Sequence, residues 1–307
     1  MGIYLPIAEM SVNMAVLLAM GAAVGFLSGM FGVGGGFLIT PLLIFYNIPP
    51  AIAVATGANQ VIASSLSGTL AHLKRGTVDI KLAIVLLLGG VVGSSLGAFV
   101  FAFLRAFGQL DLIISLMYVV FLGAVGGLML TEAVNAIRRS RKGDQPKLKR
   151  PGQHNWIHRL PLKMRFRASK LFVSVIPVLG LGAAIGFLAS IMGVGGGFIM
   201  VPALIYLLKV PTNVVIGTSL FHIMFTTAYT TIVHATFNQT VDVVLALLLM
   251  IGGVAGAQYG TRVGQKLRGE QLRALLGALV VAVALRLAFD LFVAPSSIYV
   301  LAAPTGL

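Results

Sequence analysis

Long apolar stretches without charge constrain the fold of this chain more than any other feature. Leu82–Leu104 and Leu112–Leu130 contain no charged residue, and a helix needs about 20 such residues to cross a hydrocarbon core of about 30 Å. Neither stretch shows the alternating polarity of a barrel strand. Hydrophobic residues make up 58% of the 307 positions and charged residues only 10%, which is too apolar for a domain surrounded by water. The sequence therefore predicts an all-α polytopic membrane protein.

The net charge of +14 comes largely from one segment. Twelve of the 22 Lys and Arg residues lie between Arg138 and Lys170. We expect a cytoplasmic loop that faces anionic lipid headgroups, and no nucleic-acid partner. The segment divides the chain into a first transmembrane repeat (residues 1–137), a basic cytoplasmic linker (138–169) and a second transmembrane repeat (170–307).

The two sides of this linker repeat one pattern with nearly constant spacing. A Gly-Val-Gly-Gly-Gly-Phe segment is followed four residues later by Pro, and a Thr-Val-Asp segment opens a later apolar stretch. The copies are Gly32–Phe37 with Pro41, Gly193–Phe198 with Pro202, Thr77–Asp79 and Thr240–Asp242. Two patterns kept in the same order indicate internal duplication, which is common among transporters.

The positions of the cations favour inverted repeats. If each Gly-Val-Gly-Gly-Gly segment reverses the chain, each half has five segments, and Arg105 alone among the loop cations lies outside. An odd number of segments inverts the second half relative to the first. The arm after each glycine segment is too short to cross a bilayer. We therefore predict two inverted-topology repeats with broken or half-membrane helices at the Gly-Val-Gly-Gly-Gly segments.

The glycine segments are candidate binding sites for a small anion. Each glycine costs a helix about 1 kcal/mol relative to Ala, and in lipid the freed backbone groups need partners. Glycine also lets the backbone approach a ligand, and a helix that begins at Phe37 or Phe198 directs N–H groups and its positive dipole end towards it. Close helix packing is the alternative explanation. The candidate residues are Gly32, Gly34, Gly35, Gly36, Gly193, Gly195, Gly196 and Gly197.

A second break is predicted after each short arm, where Pro49-Pro50 and Pro211 lead into blocks of polar residues. Their hydroxyl, amide and imidazole groups could donate hydrogen bonds to an oxyanion, or could join helices to each other. The candidates are Thr56, Asn59, Gln60, Thr218, Ser219 and His222. His222 could also take up a proton with the substrate, although a neutral, hydrogen-bonded imidazole is an equal alternative. Asp79 and Asp242 are predicted to cap the helices that they precede.

The paired glycine segments, their following prolines and the Gly217-Thr218-Ser219 block resemble the TauE/SafE family of sulfite exporters and related anion permeases. The resemblance extends from about Val12 to Val293. It implies a multi-pass permease of the cell inner membrane for sulfite, sulfonates, thiosulfate or similar oxyanions, or for organic acids. The glycine segments and the Gly217–Ser219 block would be its functional residues. In the first half the latter reads Ala55-Thr56-Gly57, which departs from the family pattern.

A transporter of a small anion that works by alternating access is therefore the favoured function, with proton coupling through His222 left open. A passive anion channel and a permease for other organic acids are the alternatives. An intramembrane enzyme is not expected, because the sequence contains no Cys, no Gly-x-Ser-x-Gly and no His-Glu-x-x-His. We expect no cofactor and no metal, and a homodimer stays open.

Overall fold

Ten helices make up most of the described chain. The computed structural model describes residues 2–31, 33–108, 110–141, 161–166, 168–169, 171–208, 210–264 and 269–292. Each half contributes five helices. Their bounds are α1 Met14–Phe31, α2 Gly36–Phe45, α3 Pro50–Lys74, α4 Ile80–Ala106, α5 Leu110–Arg141, α6 Val175–Met192, α7 Gly197–Tyr206, α8 Thr212–Val233, α9 Val243–Gly264 and α10 Gly269–Phe292.

Within the described ranges, 7 helices are long and apolar enough to cross a membrane, and these are α1, α4, α5, α6, α9, α10 and α8 with the π-helical turn His234–Asn238 that follows it. The prediction of an all-α polytopic membrane protein is confirmed. The helices α2 and α7 have 10 residues each, or about 15 Å, which is too short for a crossing. Their half-membrane position in a bilayer, and the inverted orientation of the two halves there, stay predictions.

Capping residues and prolines set several helix starts. Pro49 and Pro50 open α3, where a missing N–H costs nothing and the fixed φ suits the first turn. Asp79 caps α4 by accepting a hydrogen bond from Leu82 N at 3.2 Å. In the second half, Asp242 accepts one from Leu245 N at 3.0 Å, just before α9. Both carboxylates therefore cap their helices, as the sequence predicted.

The sequence did not predict the two short β-hairpins. Strand β1 (Gly2–Leu5) pairs antiparallel with β2 (Met10–Asn13) just before α1. Strand β3 (Lys163–Phe166) pairs antiparallel with β4 (Leu171–Ser174) just before α6. The hairpins thus occupy matching places in the two halves, and the duplication includes residues before Val12. Most of the basic linker, residues 142–160, lies outside the described residues, so its boundaries stay a prediction.

The most extensive helix packing crosses from one half of the chain to the other. Helix α1 runs parallel to α9, since a side chain added at Gly21 would meet Leu249 and one added at Gly29 would meet Ala257. Helix α4 runs parallel to α6 in the same way, with Gly93 against Ala183. Glycine and alanine let these backbones approach closely, as is common between helices in membranes.

Two other pairs run antiparallel and join corresponding helices. In α3 and α8, Gly68 lies beside Leu220 whereas Gly217 lies beside His72, four residues further along α3. In α5 and α10, Gly126 lies beside Val280 and Gly277 beside Leu130, so these helices also run in opposite directions. Helices α3 and α8 contain most of the buried hydroxyl groups, and the two glycine segments pack against them.

Candidate functional site

The glycine segments connect α1 to α2 and α6 to α7. Several of their residues adopt the left-handed backbone conformation, with positive φ. Gly34 and Gly35 have φ values of 85° and 72°, and Gly195 and Gly196 have values of 68° and 72°. A side chain is strained in this conformation, which explains the glycines at these positions. Gly35 and Gly196 are the residues before the first helical residues of α2 and α7. Gly32 lies outside the described residues. Gly193, at φ 67°, ends α6 against the backbone of Val54.

The two glycine segments contact each other. A Cβ atom added to Gly36 would lie 2.5 Å from the carbonyl oxygen of Val194, and one added to Gly197 would lie 2.0 Å from that of Val33. The rings of Phe37 and Phe198 follow, with centroids 5.8 Å apart. The N-termini of α2 and α7 therefore converge where the two halves meet. All the described residues of both segments, 33–36 and 193–197, are buried.

Helices α3 and α8 form the walls around the two glycine segments. Val61 and Ile223 each lie close to both Gly34 and Gly195. In α3, the hydroxyl of Ser64 donates to the carbonyl oxygen of Gly34 at 3.2 Å and so orients the first segment.

The next residue of α3, Ser65, presents its hydroxyl to the first segment. Its Oγ lies 3.3 Å from where a Cβ of Gly34 would be. Ser65 is 0% exposed, and its Oγ has no hydrogen-bond partner among the described residues. The hydroxyls of Thr40, Thr69, Thr231 and Thr240 are also buried without a partner in the described chain, but that of Ser65 lies against a glycine segment, where it could donate to a bound ligand.

The counterpart of Ser65 in α8 is Thr227, and it is oriented differently. The methyl group of Thr227 faces Gly195, and its hydroxyl donates to the carbonyl oxygen of Ile223 in its own helix. Of these two corresponding hydroxyls, the one without a partner among the described residues is therefore that of Ser65 in the first half.

The hydroxyls of the predicted site residues Thr56 and Thr218 bond to the starts of other helices and not to the glycine segments. The Thr56 hydroxyl accepts a hydrogen bond from Asp242 N, and the Thr218 hydroxyl accepts one from Asp79 N, both at 3.0 Å. Both threonines are fully buried inside continuous helices. The chain does break after each short arm, as the sequence predicted, but the break lies before Pro50 and Thr212, and the polar residues already belong to α3 and α8.

The two capping carboxylates also hold the hairpins. The second oxygen of Asp242 accepts from Ile7 N at 3.0 Å, and that of Asp79 accepts from Ser169 N at 2.9 Å and from its hydroxyl at 2.8 Å. Asp79 thus joins the hairpin β3–β4 of the second half to α4 of the first half. Asp242 joins the hairpin β1–β2 of the first half to α9 of the second half. The predicted helix-capping role is confirmed, and the hairpin contact adds a second role that the sequence did not indicate.

Gln60 and His222 occupy corresponding positions beside the parallel helix pairs. Gln60 Nε2 donates to the carbonyl oxygen of Gly21 in α1 at 3.0 Å, next to Gly253 of α9. His222 Nε2 and the Thr226 hydroxyl are 3.2 Å apart, next to Gly90 of α4. Both side chains are buried, at 1% and 0% exposure. Gln60 bonds α3 to α1, whereas His222 bonds within α8 and packs against α4 at Gly90.

Asn59 and Ser219 bond within their own helices. The Asn59 amide donates to the Thr56 carbonyl oxygen at 3.2 Å, and the Ser219 hydroxyl donates to the Ile216 carbonyl oxygen at 3.0 Å. The structure therefore brings the two glycine segments together and places Gln60 and His222 beside the parallel helix pairs. The other four polar candidates bond to their own helices or to the starts of α4 and α9.

The sequence interpretation missed the hydroxyl residues closest to the glycine segments. Ser64 and Ser65 of α3 correspond to Thr226 and Thr227 of α8 at the same offset of 162 that pairs Gln60 with His222. That repeated hydroxyl pair in the middle of two segments was the available signal. It was overlooked because small hydroxyl residues are common inside membrane helices, where they bond to their own backbone.

No buried cation compensates this site within the described chain. Every Lys and Arg whose side chain the structure describes is exposed on the protein surface. The described residues also contain no group of three His, Cys, Asp or Glu that could hold a metal ion. Backbone N–H groups and helix dipoles are the sources of positive potential that the described residues can offer near the glycine segments.

Comparison with known proteins places the chain among membrane transporters. The family described as "Sulfite exporter TauE/SafE" matches residues 17–287. The "Probable membrane transporter protein YunE" of Bacillus subtilis is 27% identical over 91% of this chain and 98% of its own length. A "Probable membrane transporter protein" of Xylella fastidiosa is 31% identical over 89% of this chain and 94% of its own length. No solved structure matches the chain significantly.

Proposed function

This chain belongs to the TauE/SafE sulfite exporter family and is a membrane transporter, and we propose that it carries a small anion, namely sulfite, a sulfonate or a related sulfur oxyanion. The family description and the anion-binding character of helix N-termini support this proposal independently. A permease for other organic acids is the alternative within the same class.

One observation carries the assignment of the site. The N-termini of α2 and α7 converge on two touching glycine segments that are buried between α3 and α8. Two helix N-termini that face one point provide N–H donors and positive potential without a basic side chain. We propose that Gly34–Gly36 and Gly195–Gly197 bind the anion, with Ser64 orienting the first segment.

Alternating access is the proposed mechanism, and the helix directions support it. The corresponding helices α3 and α8 are antiparallel, as are α5 and α10. Corresponding elements that run in opposite directions are related by an axis perpendicular to them, and for membrane helices that axis lies in the membrane plane. Inverted repeats of this kind place the substrate at the axis and expose it to either side in turn.

The moving units in this mechanism combine helices from both halves. The closest packing joins α1 to α9 and α4 to α6, so each pair moves as one body more easily than it separates. Gln60 joins α3 to the first pair by a hydrogen bond, and His222 of α8 packs against the second pair at Gly90. We propose that rocking of these two composite units opens the glycine segments to one side and then to the other.

Transport by the purified full chain in liposomes tests the proposed substrate class. We expect saturable uptake of methanesulfonate or sulfite that exchanges with the same anion inside. If neither anion moves in either direction, while the protein is monodisperse and helical, the proposed function is wrong. Uptake that a pH gradient drives uphill would distinguish a carrier from a passive channel, because a channel cannot accumulate its ion beyond electrochemical equilibrium.

A further inference from the structure

The buried interior of the described chain contains two carboxylates and no Lys or Arg side chain. Asp79 and Asp242 are the buried acidic residues, and both are engaged with helix N-termini and hairpins. The described Lys and Arg side chains lie on the surface. An anion at the glycine segments therefore has no side-chain counterion there.

The compensating charge at the glycine segments is limited to two helix ends. Each helix N-terminus is equivalent to roughly half an elementary positive charge. Helices α2 and α7 have 10 residues each, and their N-termini meet at the contact of Gly36 with Val194 and of Gly197 with Val33. Together they offset about one negative charge.

A second observation indicates a ligand at the same place. The Ser65 hydroxyl is fully buried, has no partner in the described part of the chain and lies next to Gly34. It can donate one hydrogen bond to a bound oxygen atom. The corresponding Thr227 uses its hydroxyl within its own helix, so the free donor is present on one side of the site.

Together these observations define the charge class of the substrate. We infer that this site takes monovalent oxyanions and rejects divalent ones, with the Ser65 hydroxyl as a specificity-determining donor. An acid with two ionisation steps crosses as its singly charged, protonated form. The inference rests on the proposed anion transport and adds the charge of the species that is carried. A second negative charge in this buried site would have no compensation and would cost several kcal/mol in practice.

The unmodified full chain in liposomes provides the decisive experiment. Methanesulfonate is monovalent at all ordinary pH values, sulfate is divalent, and sulfite changes from monovalent to divalent near neutral pH. We expect sulfate uptake to be slower than methanesulfonate uptake by at least about a hundredfold. Sulfite uptake divided by methanesulfonate uptake should fall with rising pH in proportion to the bisulfite fraction. The division removes any titration of the protein itself.

The outcomes separate the inference from the proposed function. Sulfate uptake as fast as methanesulfonate uptake, or a sulfite ratio that rises with pH, overturns the charge selectivity and leaves anion transport intact. Absence of uptake for all three anions overturns the proposed function and the inference with it.

The variant Ser65→Ala tests the hydroxyl separately. Loss of one hydrogen bond to a charged group should raise the KM for methanesulfonate roughly tenfold to a hundredfold. Ser65→Thr retains a hydroxyl and should recover most of the affinity. The control Ser115→Ala removes a hydroxyl that bonds to Asp111 O within α5 and should leave KM unchanged. Equal KM values for Ser65→Ala and the unmodified chain would refute the role of this donor.

Discussion

The hydroxyl of Thr56 accepts a 3.0 Å hydrogen bond from the backbone N–H of Asp242, 186 residues later in the chain. The contact ties α3 to the start of α9, and Thr218 makes the same contact with Asp79 at the start of α4. Thr56 and Thr218, which the sequence analysis assigned to substrate binding, thus each bond to the start of a helix in the other half of the chain.

Thr56→Val should therefore lower stability more than it changes substrate affinity. The substitution leaves a buried N–H of Asp242 without a partner, at a cost of about 1 to 2 kcal/mol. Thermal unfolding in detergent should show a lower Tm, while the KM for methanesulfonate stays within about twofold of the unmodified value. Thr131→Val, which removes an exposed hydroxyl bonded to Leu128 O, is the control and should leave Tm unchanged. A large rise in KM with an unchanged Tm would favour direct substrate binding by Thr56.

Gly36→Ala should block transport by separating the two glycine segments. The added methyl group would lie 2.5 Å from the Val194 carbonyl oxygen and 2.6 Å from a Val61 methyl carbon, and the backbone atom cannot move without shifting the second segment. We expect transport to fall by at least about tenfold, together with a lower Tm, because overpacking a buried contact costs about 1 to 3 kcal/mol.

Gly180 and Gly127 provide matched controls for this substitution. Both lie in helices, and a Cβ atom at either would meet nothing within 4 Å. Alanine there should preserve transport and raise stability by up to about 1 kcal/mol through helix propensity. Equal activity of Gly36→Ala and Gly180→Ala would show that the contact between the segments is not needed.

Asp242→Ala should release the N-terminal hairpin. The carboxylate caps α9 through Leu245 N and holds the hairpin through Ile7 N, both at 3.0 Å. Its removal should cost about 1 to 2 kcal/mol from the lost cap and should raise amide hydrogen exchange over residues 2–13. Asp79→Ala should raise exchange around Ser169 instead. Unchanged exchange in both regions would mean that the hairpins are held by other contacts.

His222→Gln should keep the fold while removing any proton carried by the imidazole. Glutamine is the residue at the corresponding position 60, where it fits beside the helix pair α1 and α9. We expect a Tm close to that of the unmodified chain and, if His222 carries a coupling proton, loss of any uphill uptake of methanesulfonate that a pH gradient drives in the unmodified chain. His222→Ala should instead lower Tm, because it leaves a void beside Gly90. Uphill uptake that persists in His222→Gln would place the coupling elsewhere.

The sequence predicted the helices because their signals are local. An uncharged stretch indicates the helix that it forms, and the glycine segments and Pro50 mark helix ends beside them. Asp79 and Asp242 likewise cap the helices that begin next to them. Because the sequence is duplicated, each of these local patterns occurs in both halves, and each copy supports the prediction made from the other.

The hairpins and the role of Thr56 could not be predicted in this way. Asp242 holds Ile7 and Thr56 through contacts that span most of the chain, and nothing in the local pattern shows them. Ser65 was missed for a different reason, because a serine in a membrane helix usually bonds within that helix. That its hydroxyl has no hydrogen-bond partner among the described residues and lies beside Gly34 becomes visible only in the three-dimensional structure.

The parallel packing of α1 against α9 has a consequence for biosynthesis. Gly21, Gly25 and Gly29 form a surface without side chains against which α9 packs, yet α9 is synthesised only after all the helices from α1 to α8. Until then this surface of α1 faces lipid or a transient partner. The nascent protein therefore cannot complete its first half before its second half exists, and the two halves mature together as one folding unit.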